Sequence, residues 1–228
     1  AILPTGDELV DAGQPVGPGQ IANSNGIMIQ SMCLELGMEP LLLPIVRDQQ
    51  EVLSQALLHA SQEADLILTI GGVSVGDFDY VLSSIKETGT VEFWKVAIKP
   101  GKPLAFGHIN QTPIIGLPGN PASAFVCFEL FARPALLTLA GRPSSRRFVV
   151  QAQLQSPIQQ NATREQFLRA RLTRDGENYR VETASTQGSG QLSSMIDINA
   201  LARIPSGHGQ IDAEQNVSVI ALDRYFQG

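Results

Sequence analysis

Four groups of glycine and polar residues each follow a short apolar run. Thr5-Gly6-Asp7-Glu8-Leu9 follows the first run and Arg47-Asp48 the second. Gly71 to Tyr80 follows the third, and Gly116 to Ser123 the last. Ligands of an open α/β sheet bind beyond the carboxyl ends of its strands. Four such groups at one edge therefore outline a candidate site. Gly71 and Gly72 offer backbone N–H groups with no side chain in the way, which suits a phosphate. Ser74 adds a hydroxyl donor. Asn120 reads as a helix N-cap with Pro121 at the first helical position, so that helix start would turn a partial positive charge toward an anion.

Three acids, Glu8, Asp48 and Asp79, reach the same edge from separate strands. Separated carboxylates beside a phosphate site are what Mg²⁺ requires. Each also has a plainer reading. Glu8 would pair with a lysine, Asp48 would cap the next helix, and Asp79 would cap the helix at 80. Lysine occurs only at Lys86, Lys95, Lys99 and Lys102, and three of these fall in one window stiffened by Pro100 and Pro103. A strand over 91–98 would put Lys95 and Lys99 on one face. Like charges so placed repel unless an anion sits between them, which points to a small oxyanion. The alternative is a solvated hairpin. The three histidines, His59, His108 and His208, are scattered, and no His or Cys cluster has zinc spacing.

The elements that must position these groups are legible in the apolar pattern. Helical periods run over 24–36, 50–63, 79–87 and 121–140, the last with Pro134 as a kink or break. Strand-like runs cover 1–3, 41–46, 66–70, 91–98, 103–109 and 112–117. Alternation of this kind predicts a three-layer α/β/α domain with a mainly parallel sheet over residues 1–147. The polar segment 142–147 is a linker. Beyond it, short alternating runs at 148–154, 166–172, 179–184 and 217–222 predict a small all-β domain over 148–228.

Composition narrows the function classes. The chain has 228 residues, 43% hydrophobic and 17% charged, enough to bury a core. A net charge of −6 argues against a nucleic-acid partner, which needs a basic face. Apolar runs fall short of a membrane span, and no signal peptide shows, which suggests a cytoplasmic protein. Cys33 and Cys127 sit in apolar helical stretches and read as buried reduced thiols. The chain opens on Ala1 and ends in Tyr225-Phe226-Gln227-Gly228, as a longer protein carrying a cleavage-tag remnant would.

Five motifs occur in one order: Pro4 to Leu9; Gly19-Gln20-Ile21 with Ser24-Asn25; Gly71 to Tyr80; Lys99-Pro100-Gly101-Lys102-Pro103-Leu104-Ala105-Phe106-Gly107; and Gly116 to Ser123. Together they resemble the molybdopterin molybdenumtransferase family (MoeA and the gephyrin E domain). The resemblance continues more weakly through Arg164 to Phe167, Gly188 to Ser194 and Asn199 to Leu201. It implies a Mg²⁺-dependent transferase of molybdenum cofactor biosynthesis. Molybdate would be inserted into adenylyl-molybdopterin with release of AMP.

The resemblance also implies site roles. Glu8, Asp48 and Asp79 match the family's functional acids and would bind the metal, and Lys95 and Lys99 match its catalytic lysines. Thr5, Gly71, Gly72, Ser74, Lys102, Asn120 and Ser123 would bind substrate, with Arg164 and Ser194 closing the oxyanion site from the β domain. The family chain carries a further N-terminal half and works as a homodimer, and a contact with the molybdopterin adenylyltransferase is implied as well. Three alternatives stand beside this. One is a CinA-like nucleotide-cleaving hydrolase, whose second glycine loop reads Gly-Gly-Leu-Gly-Pro-Thr where this chain has Gly-Gly-Val-Ser-Val-Gly. Another is the adenylyltransferase itself, which is not expected to carry the β domain. The third is a gephyrin-like peptide-binding scaffold.

Overall fold

The computed structural model describes residues 1–73, 80–142 and 147–222. Contacts divide the chain into two units, 1–96 with 101–145 and 97–100 with 146–228. In chain order the elements are β1 (Ile2–Pro4), β2 (Leu9–Val10), β3 (Ile21–Ala22), α1 (Ser24–Glu35), α2 (Gln50–Glu63), β4 (Ile67–Ile70), α3 (Tyr80–Thr88), β5 (Gly89–Trp94), β6 (Ile98–Lys99), β7 (Ala105–Ile109) and β8 (Thr112–Leu117). Then follow α4 (Pro121–Cys127), a π-helical segment (Phe128–Ala132) and α5 (Arg133–Leu139). The remaining strands are β9 (Val149–Leu154), β10 (Ile158–Ala162), β11 (Glu165–Asp175), β12 (Asn178–Thr183), β13 (Ala200–Ile204), β14 (Gly207–Ile211) and β15 (Asn216–Ala221). A 3₁₀ turn at Leu192–Met195 precedes β13.

The first unit is the expected α/β/α arrangement around a sheet ordered β1-β4-β8-β7-β5. β1, β4 and β8 pair in parallel, while β8–β7 and β7–β5 are antiparallel, so the sheet is mixed. All four residues of β4 are buried, as a central strand covered on both faces must be. On one face, Leu53, Leu57 and Ala60 of α2 and Val81, Leu82 and Ile85 of α3 share a core with Leu3, Ile67, Ala105, Ile109 and Ile114. α1 packs on β1 and α4. Asn23 caps α1, its side-chain oxygen accepting from the Gly26 N–H at 2.9 Å.

Four expectations are corrected here. Residues 41–46 form no strand and make only isolated bridges, Ile2 to Leu42 and Thr5 to Val46. Pro40 and Pro44 lack the N–H groups a ladder needs. The run 91–98 is not one strand: β5 stops at Trp94, Lys95 turns through φ +73°, and β6 belongs to the second unit. Pro134 does not break its helix. The helix runs from Pro121 to Leu139, and the wider π turn absorbs the proline, with the Arg133 N–H donating to the Phe128 carbonyl. Its 19 residues and mean hydropathy of 1.5 make it long and apolar enough to cross a bilayer, which overturns the reading that no run reaches that length. It packs as a core helix, with Glu129 and Arg133 buried as a pair 4.0 Å apart.

In the second unit the sheet order is β12-β9-β15-β13-β11-β6, and β12 also pairs with β11. Five strands thus close on themselves, leaving β6 outside as an added parallel strand on β11. Inward positions alternate along each strand: Val150, Ala152 and Leu154 on β9, Ala200, Ala202 and Ile204 on β13, Val217, Val219 and Ala221 on β15. Alanines at several of them suit the small diameter. β10 and β14 form a separate ribbon. These two strands and β13 were not legible in the sequence.

Both cysteines are buried free thiols. Burial pushes Cys33 up to about 11 and raises Cys127 as well. Cys127 Sγ reaches the Gly101 carbonyl at 3.6 Å.

β5 and β7 approach very closely at Gly107, where an added Cβ would come 2.0 Å from the Thr90 carbonyl oxygen. Gly107→Ala is expected to destabilise the first unit by about 3 kcal/mol, the upper range for overpacking. The measurement is the urea midpoint, which should fall with an unchanged slope.

Candidate functional site

Beyond the carboxyl ends of β1, β4 and β8 the first unit holds a cleft of about 530 Å³. Each wall comes from a different strand end. Thr5, Gly6 and Glu8 follow β1, Gly71 and Gly72 follow β4, and Pro118, Gly119 and Asn120 follow β8. Asp48, the start of α1, Pro103 and Ser123 complete it. Six of the sequence-derived candidates, Thr5, Gly71, Gly72, Asn120, Ser123 and Asp48, therefore share one cavity with Glu8.

Backbone bonds hold these loops together. The Thr5 N–H donates to the Ile70 carbonyl at 3.0 Å, and the Gly71 N–H to the Leu117 carbonyl at 3.0 Å. Gly71 sits at φ +101°, where an added Cβ would come 2.7 Å from the Thr5 carbonyl oxygen. Its glycine is thus required by backbone packing. Its N–H is spent in the ladder, so the expectation that this group serves a phosphate is corrected. Asn120 occupies the N-cap position before Pro121, but its side chain makes no capping bond. Asn25, at the start of α1, donates Nδ2 to the Gly119 carbonyl at 2.6 Å and ties that helix to the β8 loop.

Glu8 is exposed and Asp48 half-buried on the cleft wall. Asp79 and Ser74 lie outside the described residues. Among the described residues no three His, Cys, Asp or Glu side chains converge on a metal position. Mg²⁺ commonly takes one or two carboxylates and fills its octahedron with water and substrate oxygens. The pair Glu8 and Asp48 fits that donor set. Gly72-Val73-Ser74-Val75-Gly76 has the Gly-x-Ser-x-Gly spacing of a hydrolase elbow. Among the described residues no histidine lines the cleft to act as its base.

The lysines are not gathered on one strand face. Lys95 and Lys102 belong to the first unit and Lys99 to the second. The Lys95 ammonium lies 3.7 Å from the centre of the Trp94 ring, a cation–π contact. Trp94 in turn donates Nε1–H to the Val73 carbonyl at 3.0 Å. All three lysines are exposed. None lines the cleft.

In the second unit, Arg164 donates Nη1–H to the Ile98 carbonyl at 3.0 Å, fastening β6. The buried Ser194 hydroxyl donates to the Gln191 carbonyl within the 3₁₀ turn. The structure also brings out Arg169, which the sequence reading passed over. Among the described residues it is the largest side chain with essentially no exposure. Nη2 donates to the carbonyls of Thr186 and Gly188, at 3.1 and 3.2 Å, while Nε and Nη1 find no partner. Burial holds the guanidinium below its usual value. Gln187 bonds both the N–H and the carbonyl of Arg169, so the residue and the 186–188 segment clasp each other. Arg169 stands on the face of β11 opposite Leu168, Ala170 and Leu172, which pack into the core, so strand alternation gave no sign that it would be buried.

The topology, with a cleft at the carboxyl edge of parallel strands and a closed β unit following in the chain, defines an α/β ligand-site protein with an appended β module. More particularly, the chain belongs to the family described as "Probable molybdopterin binding domain", which it matches over residues 1–138. Residues 151–222 match the "MoeA C-terminal region (domain IV)". It is 33% identical over 223 residues to the molybdopterin molybdenumtransferase of Haemophilus influenzae and 34% identical over 228 residues to that of Nostoc sp.. These alignments cover 96% and 97% of this chain, but 54% and 52% of the relatives. The chain thus spans about half the length of the curated relatives it matches. A solved molybdopterin biosynthesis MoeA protein from Pyrococcus horikosii superposes with a TM-score of 0.83 at 32% identity, covering 97% of this chain and 54% of that one.

Arg169→Met removes a desolvated charge and two bonds to the 186–188 carbonyls. The two effects oppose each other in stability, so the melting midpoint is expected to move by only a few degrees. The loop itself should loosen. Amide hydrogen exchange over 186–191 should accelerate about tenfold, and unchanged exchange would show that Arg169 does not hold this loop.

Proposed function

We propose that this chain is the α/β and β-module portion of a molybdopterin molybdenumtransferase. It would insert molybdate into adenylyl-molybdopterin and release AMP, in the cytoplasm and as part of a longer homodimeric chain. The adenylyltransferase that makes this substrate class is the natural upstream contact. The observation that carries the reading is the single cleft joining Glu8 and Asp48 to the Gly71 and Gly119 loops, in a chain of this family.

A nucleotide-linked diphosphate needs close backbone approach and charge compensation. Gly71, Gly72 and Gly119 bring bare backbone to the cleft wall, the Gly71 N–H being already spent on Leu117. The start of the helix at Pro121 adds a favourable dipole for an anion. Ser123, in the first turn of that helix, supplies a hydroxyl, and Thr5 lies at the base of the cleft beside the Ile70 carbonyl. Mg²⁺, where bound, would be held by Glu8 and Asp48, with Asp79 as a third candidate, and would offset the phosphate charge. Molybdate is the second substrate. Ser74 and Lys102 in the first unit, and Lys99, Arg164 and Ser194 in the second, are each proposed to bind its oxygens, and Lys95 is proposed as a catalytic residue. Exposed cations attract a dianion without the desolvation cost of a buried site.

Two experiments test the reading, both on the full-length parent. Glu8→Gln should lower molybdate-dependent AMP release on the order of 100-fold. Its melting midpoint should not change, because the side chain is exposed. AMP release that ignores molybdate would overturn the assignment. Lys99→Ala should weaken molybdate binding in isothermal titration by about tenfold, with tungstate competing at the same place. Unaltered molybdate affinity in a less stable variant would make Lys99 a structural residue.

A further inference from the structure

The last backbone link between the loop after β1 and the 46–48 segment is the Gly6 N–H to the Val46 carbonyl, at 3.1 Å. Beyond it both segments continue toward the cleft, one carrying Glu8 and the other Asp48. Past that point they are joined by bonds that end on Asp7. Arg47 donates Nη1–H to the Asp7 carbonyl at 2.7 Å. The Asp48 N–H donates to Asp7 Oδ1 at 3.3 Å. The other side of the turn is tied as well, because the Glu8 carbonyl accepts from the Ile21 N–H at 2.8 Å. The Glu8 carboxylate lies over Gly6, where an added Cβ would come 2.7 Å from Oε2.

From this network we infer that Asp7 and Arg47 are positioning residues that set the spacing of Glu8 and Asp48, and with it the affinity of the cleft for a divalent cation. The inference rests on the reading of Glu8 and Asp48 as the carboxylates that hold magnesium. Asp7 is not a third ligand. Neither Asp7 nor Arg47 lines the cleft, and no three carboxylates converge among the described residues. The Asp7 carboxylate is turned onto the Asp48 backbone instead. Partners of this kind fix the reach of a ligating carboxylate, and their loss commonly costs tenfold or more in metal affinity.

Charge alone makes the opposite prediction for one of the two, and that separates the explanations. Removing Arg47 takes a cation away from a cation site, which by electrostatics tightens binding. Removing a positioning residue weakens it. The test is isothermal titration of the 228-residue chain with MgCl₂, backed by electron paramagnetic resonance with MnCl₂. Arg47→Ala and Asp7→Ala should each raise the dissociation constant about tenfold. Asp7→Asn keeps both the carbonyl and the Oδ1 acceptor and should stay within about twofold of the parent. Tighter or unchanged binding by Arg47→Ala overturns the inference, as does an Asp7→Asn variant as weak as Asp7→Ala. Glu8→Gln serves as the control. If the parent binds neither ion, or if Glu8→Gln binds as the parent does, the magnesium reading itself falls. If Glu8→Gln loses binding and the Asp7 and Arg47 variants do not, only the positioning role falls.

Discussion

The cleft depends on the way three parallel strand ends are locked by backbone bonds before any side chain is considered. β1, β4 and β8 finish level with one another, and the ladder runs one step past the strands, from Thr5 to Ile70 and from Gly71 to Leu117. Gly71 passes so close to the Thr5 carbonyl that a methyl group would collide. Because backbone geometry sets these loops, the described candidate side chains that follow these strands are delivered from a rigid base. Sites built this way are more precise than sites carried on free loops. The same lock consumes N–H groups that a glycine-rich sequence would otherwise offer to a phosphate.

A second constraint is that polar groups at the edge must be satisfied without filling the cavity. Asn23 closes the start of α1, Asn25 takes the Gly119 carbonyl, and Asp7 takes the Asp48 N–H. Each bond joins segments distant in sequence or closes a helix terminus. On the opposite face of the sheet, the α2–α3 pair is tied by Glu87, which accepts from Gln50 and Ser54 and is held below the usual carboxylate range by those bonds. In the second unit Arg169 meets the same requirement less completely. Its guanidinium supports the carbonyls of 186 and 188 while two of its nitrogens go without a partner. Such a group is costly in a core and is kept where it orders a loop.

The interrupted lysine strand shows how local pattern and tertiary structure part company. The run 91–98 is apolar enough to read as one strand, yet Lys95 adopts a left-handed turn and lays its ammonium on Trp94. Residues 97–100 then join the second unit, pairing with Glu165 and Gln166 of β11. Alternation reports which faces are apolar, and it carries no information about which sheet a strand will enter. The proline in the long helix is a parallel case. Pro134 predicts a kink or break from its missing N–H and its ring, and a π turn ahead of it keeps the helix continuous.

The sequence by itself determined the α/β and β sections, the strand-end loops and the acids they carry, because short apolar runs with period 2 or 3.6 and the glycines after them are local properties. It also determined the family, through motifs whose order no single turn or cap would require. Only the tertiary structure decided that Gly71 spends its N–H on Leu117, that β12 closes the second unit by pairing with both β9 and β11, and that Asp7 faces Asp48 rather than the cleft. Apart from the β11–β12 hairpin, each of these is a pairing between residues tens of positions apart. Such a pairing is selected by the packing of the whole unit, and the residue types on either side are compatible with several partners.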